Sequence, residues 1–102
     1  MSRLSKGSIF FHALLKDDTE VSFFEVVRST TNTCEVISVS KNVVAQDDFY
    51  QFVEPDLSSR GFKKRCKVIS SKKIMLKEGE YAVLWDGLPV RQTMRIFLLG
   101  DF

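Results

Sequence analysis

The sequence predicts a mainly β protein: a compact antiparallel sheet or a small SH3-like barrel. Three observations point there. Short segments rich in β-branched and aromatic residues recur along the chain, turn-forming residues separate them, and only one stretch carries a helical pattern. The 102 residues fit a single domain, 1–102, and the 44% apolar content with nine Phe can furnish one core and argues against disorder.

MSRLSKGSIFF opens the chain with a brief apolar part and no small-residue cleavage site. That reads as no signal peptide and a cytoplasmic setting. The apolar run SIFFHALL (8–15) falls well short of the roughly 20 residues of a membrane-spanning helix, so no membrane partner is expected. VSFFEVVRS (21–29) is the clearest strand: Val21, Phe23 and Val27 fall on one face, Phe24 and Val26 on the other, so both faces meet apolar surroundings. STTNT (29–33) is a turn by composition, because Ser, Thr and Asn side chains satisfy local backbone groups. CEVISVSK (34–41) resumes as the partner strand of a hairpin.

NVVAQDDFYQFV (42–53) is ambiguous. Ala45, Phe49 and Phe52 recur at i, i+4, i+7 behind a candidate N-cap, Asn42, which suits a helix of about three turns ending before Pro55. The Val pair and three aromatics suit a strand. Beyond it, FKKRCKVI (62–69) alternates, with Phe62, Lys64, Cys66 and Val68 on one face and Lys63, Arg65, Lys67 and Ile69 on the other. KIMLK (73–77), YAVLW (81–85) and MRIFLL (94–99) read as further strands, separated by turns at Glu78-Gly79-Glu80 and at Asp86-Gly87 with Leu88-Pro89.

Little in the sequence suggests catalysis. The single histidine, His12, sits in an apolar segment where a structural imidazole is expected. Cys34 and Cys66 read as half-buried strand thiols rather than a disulfide framework. Asp17-Asp18 and Asp47-Asp48 are adjacent pairs without the spacing of a metal site, and the five glycines form no phosphate loop. The expectation is a protein that is not an enzyme and needs no cofactor.

Charge is more informative. The net charge is only +2, yet residues 60–77 hold Arg60, Lys63, Lys64, Arg65, Lys67, Lys72, Lys73 and Lys77 with no acid. Residues 42–57 hold Asp47, Asp48, Glu54 and Asp56 with no base. If the two groups lie apart, the molecule is a dipole with two kinds of face. Lys63, Arg65 and Lys67 on one strand face would stand roughly 7 Å apart, a repeat that a phosphodiester chain can follow, and Lys72 and Lys73 would extend the row. Phe62, Tyr50 and Tyr81 are candidate stacking partners. The alternative is a solvated strand face, or an edge strand protected by lysines. Trp85 either closes the core at the end of its strand or serves as an anchor for a partner.

The order of motifs FFEVV (23–27), CEVISVSK (34–41), VEPD (53–56), GFKKRCKV (61–68) and YAVLWDGLPVRQT (81–93) resembles a family of small proteins encoded by phages and mobile elements of bacteria. Trp85, Asp86, Gly87, Pro89, Gln92 and Thr93 fall on its most distinctive part, a terminal W-D-G-K-P-x-x-Q-T. Leu88 stands where the family usually has Lys, and Cys66 where Val is usual. The resemblance implies an accessory protein of a bacterial host cell. Its expected role is a non-enzymatic, anti-CRISPR-like inhibitor that binds a host defence effector protein or nucleoprotein, such as a Cas nuclease. The alternative is a nucleic-acid-binding β-module using residues 60–77.

Overall fold

The computed structural model describes residues 4–15 and 19–93. Seven strands make up one antiparallel sheet: β1 (Ile9–Leu15), β2 (Thr19–Ser29), β3 (Thr33–Gln46), β4 (Tyr50–Ser70), β5 (Lys73–Lys77), β6 (Glu80–Leu84) and β7 (Val90–Thr93). Strands β1 to β6 each pair with the next in the chain, and β6 returns to β1, so the meander closes into a barrel; β7 adds to the far end of β4. No helix forms among the described residues, and none therefore could cross a membrane. The segment 94–99, read from sequence as a last strand, lies outside the described residues.

The stretch 42–53 is not a helix. Residues 42–46 continue β3 and 50–53 begin β4, with Asn42↔Glu54, Val43↔Val53 and Gln46↔Gln51 in register. Asp47 makes the turn: its Oδ1 accepts the backbone N–H groups of Phe49 at 2.9 Å and Tyr50 at 2.8 Å. The i, i+4, i+7 spacing could not prevail, because β4 offers the segment a full ladder of backbone partners.

The hairpin of 21–29 with 34–41 forms as expected, and its turn uses the hydroxyls of 29–33: Thr30 Oγ1 accepts the N–H of Thr33 at 3.1 Å. The β3–β4 hairpin changes course at Val39 and Ser40, where partners jump from Arg60 to Asp56 and Leu57–Ser59 bulge outward. Its first half is barrel wall. Its second half is an arm, carrying β7, that contributes Val39, Val53 and Val90 to a cluster outside the barrel.

Alternation along each strand therefore buries two cores. Inside the barrel lie Phe10, Phe24, Val26, Cys34, Val36, Cys66, Ile74, Leu76 and Ala82. Outside, Ile9, Val21 and Phe23 meet Val39 and Val53, with Phe11, Ala13, Trp85 and Val90 packed around them. This is why β2 is apolar on both faces. Phe23 joins Phe11, at 6.3 Å between ring centroids, to Trp85, edge-on at 6.1 Å.

Where β3 leaves β2, the strand β2 would have an unpaired backbone edge. Gln92 on β7 fills the gap: its Oε1 accepts the Val21 N–H at 3.2 Å and the Lys41 ammonium at 2.8 Å, while Lys41 Nζ donates to the Val21 carbonyl at 2.7 Å. Gln92 Nε2 donates to Gln51 Oε1 at 3.1 Å. One side chain thus takes the role of a missing strand.

Candidate polyanion-binding face

Among the described residues, the cluster beneath the arm takes in no residue of β4 beyond Val53, none of β5 and none of β6, so the outer wall of these strands is left uncovered there. Register places Lys67 beside Met75 and Met75 beside Tyr81, and Lys73 beside Val83. Lys63, Arg65 and Lys67 project from the same face of β4 and are all exposed. Lys73 Nζ stands 4.6 Å above the Tyr81 ring, a cation–π contact that holds the ammonium on the face without neutralising it. Ile69, Tyr81 and Val83 are exposed apolar residues among these cations.

Ion pairing divides the basic residues sharply. Arg60 is bound by Glu25, with Nε and Nη2 each 2.8 Å from the carboxylate, and also donates to the Leu57 carbonyl. It serves the corner where the arm departs. Lys77 lies 3.6 Å from Glu80. Glu35, opposite Arg65 in register, is engaged by Arg28 at 3.5 Å. Lys63, Arg65, Lys67, Lys72 and Lys73 have no carboxylate within ion-pair reach among the described residues.

Of the residues singled out by sequence, the structure brings Lys63, Arg65, Lys67, Lys72 and Lys73 together and diverts two others. Arg60 is committed to Glu25. Lys64 faces the opposite side, half-buried beside Val36. Trp85 lies at one end of the face: an open depression of about 500 Å³ is lined by Lys72, Lys73, Val83, Leu84, Trp85 and Asp86. Its ring closes the outer cluster, and its Nε1–H donates to the Leu88 carbonyl at 2.7 Å. The Asp86-Gly87 turn holds this arrangement: Asp86 Oδ1 accepts the Leu88 N–H at 3.0 Å, and Gly87 takes a φ of +89°, open to glycine at no steric cost.

Among the aromatic candidates, Tyr81 is on the face. Phe62 is exposed, but alternation points it away from Lys63. Tyr50 lies on the arm beneath the Arg91 guanidinium, 4.5 Å from it. Alternation already placed Ile69 on this face, but half-buried Met75 and exposed Val83 went unnoticed in the sequence, because their place beside the cations depends on how β5 and β6 pair with β4.

The acids of 42–57 lie elsewhere. Asp47 and Asp48 occupy the tip of the arm, and Glu54 and Asp56 its β4 side. None of the ion pairs among the described residues joins this group to the bases of 60–77. The Phe49 and Tyr50 N–H groups hold the Asp47 carboxyl below its ordinary range, and the Ser58 hydroxyl and N–H do the same for Asp56.

The described residues offer little for catalysis. His12 Nδ1–H donates to the Tyr81 carbonyl at 2.8 Å and fastens the β1–β6 seam. No group of three or more His, Cys, Asp or Glu among the described residues is placed to hold a metal ion. Fold and face together define a small antiparallel β-barrel with a cationic, aromatic-bearing outer wall. No protein-family model, curated protein or solved structure matches this chain.

Proposed function

We propose that this is a non-enzymatic binding protein whose β4–β5–β6 face holds a single strand of nucleic acid. The observation that carries this reading is a row of cations without acidic partners among the described residues: Lys63, Arg65 and Lys67 along β4, continued by Lys72 and by Lys73, whose ammonium stands over exposed Tyr81. Backbone phosphates follow the row along β4. Bases stack on Tyr81 and lie against Val83 and the depression beside Trp85. Stacking and phosphate contacts of this kind are sequence-tolerant, because every base offers a π-face.

Trp85 is the only tryptophan, so its emission reports one end of the face. Titration with a single-stranded oligonucleotide is expected to change that emission, with affinity falling steeply as salt rises. The log–log slope should be about −0.7 per phosphate neutralised. Reversing both Lys67→Glu and Lys73→Glu should weaken binding at least about tenfold and flatten the slope. No binding at low salt, or binding indifferent to these reversals, overturns the reading.

A second reading gives the same face to a nucleoprotein of a host defence system, with inhibition by stoichiometric capture. The phage-type motif order and the apolar residues among the cations favour it. Affinity capture from bacterial lysate separates the two. A partner kept after nuclease treatment supports the protein target, and one lost supports nucleic acid alone.

A further inference from the structure

We propose that Cys34 and Cys66 form a dithiol site that closes into an intramolecular disulfide on reaction with a hydroperoxide. Neither thiol takes part in the nucleic-acid reading, so this inference stands apart from it.

The two cysteines are direct partners across the β3–β4 ladder and point into the barrel together. Directly opposed residues of an antiparallel pair have Cα atoms roughly 4.5–5.5 Å apart. A disulfide spans about 4.4–6.8 Å, so the bond needs little backbone movement. Both thiols are free and buried. One buried cysteine packs like a small hydrophobe. Two in direct opposition add a chemistry that packing does not require.

The pair is also asymmetric. The hydrogen bond from the Cys34 thiol holds Cys66 below the ordinary thiol range, and Lys64 adds to this against the opposing effect of burial. Cys34 is pushed up by the same contact and by burial. Cys66 is therefore the sulfur that ionises first. Access comes from the other side: Cys34 lines an open depression of about 240 Å³ at the barrel rim, between Arg28 and Arg65. Hydrogen peroxide, little larger than water, would enter there, and a local opening of the rim would admit it to Cys66, which is itself buried and does not line the depression.

The reaction balances in two steps. The Cys66 thiolate attacks one peroxide oxygen, the O–O bond breaks, and the departing hydroxide takes up a proton to become water. This leaves Cys66 as a sulfenic acid. Cys34 then gives up its proton and attacks Cys66 Sγ, and the S–O bond breaks with loss of a second water. Two thiols are oxidised by two electrons and one peroxide is reduced. The covalent loop runs from 34 to 66 and contains the whole arm. It constrains the unfolded chain and fixes the strand that carries Arg65 and Lys67.

The test treats the folded full chain with one equivalent of hydrogen peroxide, then counts thiols in denaturant and measures intact mass. The expected product is monomeric, lacks both thiols and is lighter by two hydrogens. Its thermal midpoint should rise by several degrees and return on reduction. Cys34→Ser, which keeps a hydroxyl donor beside Cys66, should stop at a Cys66 sulfenic acid, trapped by dimedone, and Cys66→Ser should leave Cys34 largely unreacted over the same time. Retention of two free thiols, gain of oxygen without loss of hydrogen, or disulfide-linked dimers would each overturn the proposal.

Discussion

At the level of single residues, two side chains matter beyond their size. Gln92 is buried and satisfies the Val21 N–H across a separation of 71 positions. Gln92→Ala strands that N–H and removes an acceptor from Lys41. An unsatisfied buried group costs about 1–3 kcal/mol, which urea denaturation should register as a lower midpoint at unchanged slope. Gly61 works through what it lacks. A Cβ there would stand 2.3 Å from Ser38 Oγ, the atom that accepts the Phe62 N–H at 3.0 Å. Gly61→Ala must displace that hydroxyl, at a cost of about 1–2 kcal/mol, and Ser38→Ala in the same chain should be less than additive with it. Neither role could be read from sequence: Gln92 stood out only within a motif, and Gly61 only as part of the basic stretch. Their partners are brought to them by tertiary folding. Trp85 and Asp86-Gly87 were more legible, since an end-of-strand aromatic and a glycine turn act on near neighbours.

Among the elements, the arm and the seam respond to different stresses. The Asp47 turn is sensitive to acid. Because its folded pKa lies below the ordinary value of 3.8, its contribution is fully present above 3.8 and lost as pH falls through the lower folded value. The Phe49 and Tyr50 amide resonances should therefore shift together below pH 3.8, and Asp47→Asn, which keeps an acceptor oxygen, should abolish that titration while preserving the turn. The seam is short: Phe10↔Leu84 and Phe11↔Val83 pair, the Trp85 N–H donates to the Ile9 carbonyl at 2.8 Å, and His12 adds one bond. His12→Ala should speed hydrogen exchange at the Trp85 backbone N–H, which bonds Ile9 across the seam, before it affects β2–β3. The strands of 21–29, 34–41, 62–69 and 73–77 were readable because each alternates or concentrates β-branched residues. The stretch 42–53 was not, since its periodicity fits a helix and a strand equally and only the partner strand decides. β7 was missed because four residues, Val90–Thr93, become a strand only against the far end of β4.

For the whole molecule, the decisive feature is where the arm lies. It covers the apolar outer surface of β1 and β2, carries the acids of 42–57 away, and leaves the cations of β4 and β5 on open wall. Sequence showed that acidic and basic segments are consecutive, but their separation depends on the bend at Val39–Ser40, which no local pattern signals. The barrel's closure has an energetic counterpart. Ile74 is fully buried in the inner core, and Ile74→Ala should cost about 2–5 kcal/mol, loosening the wall that presents the lysines. The most direct test of this account is an amide chemical-shift map of the protein titrated with a single-stranded oligonucleotide at low salt. Perturbations confined to residues 63–69, 72–75 and 81–85 are the predicted result. A map centred on the arm, residues 42–57, or one with no perturbation, would contradict it.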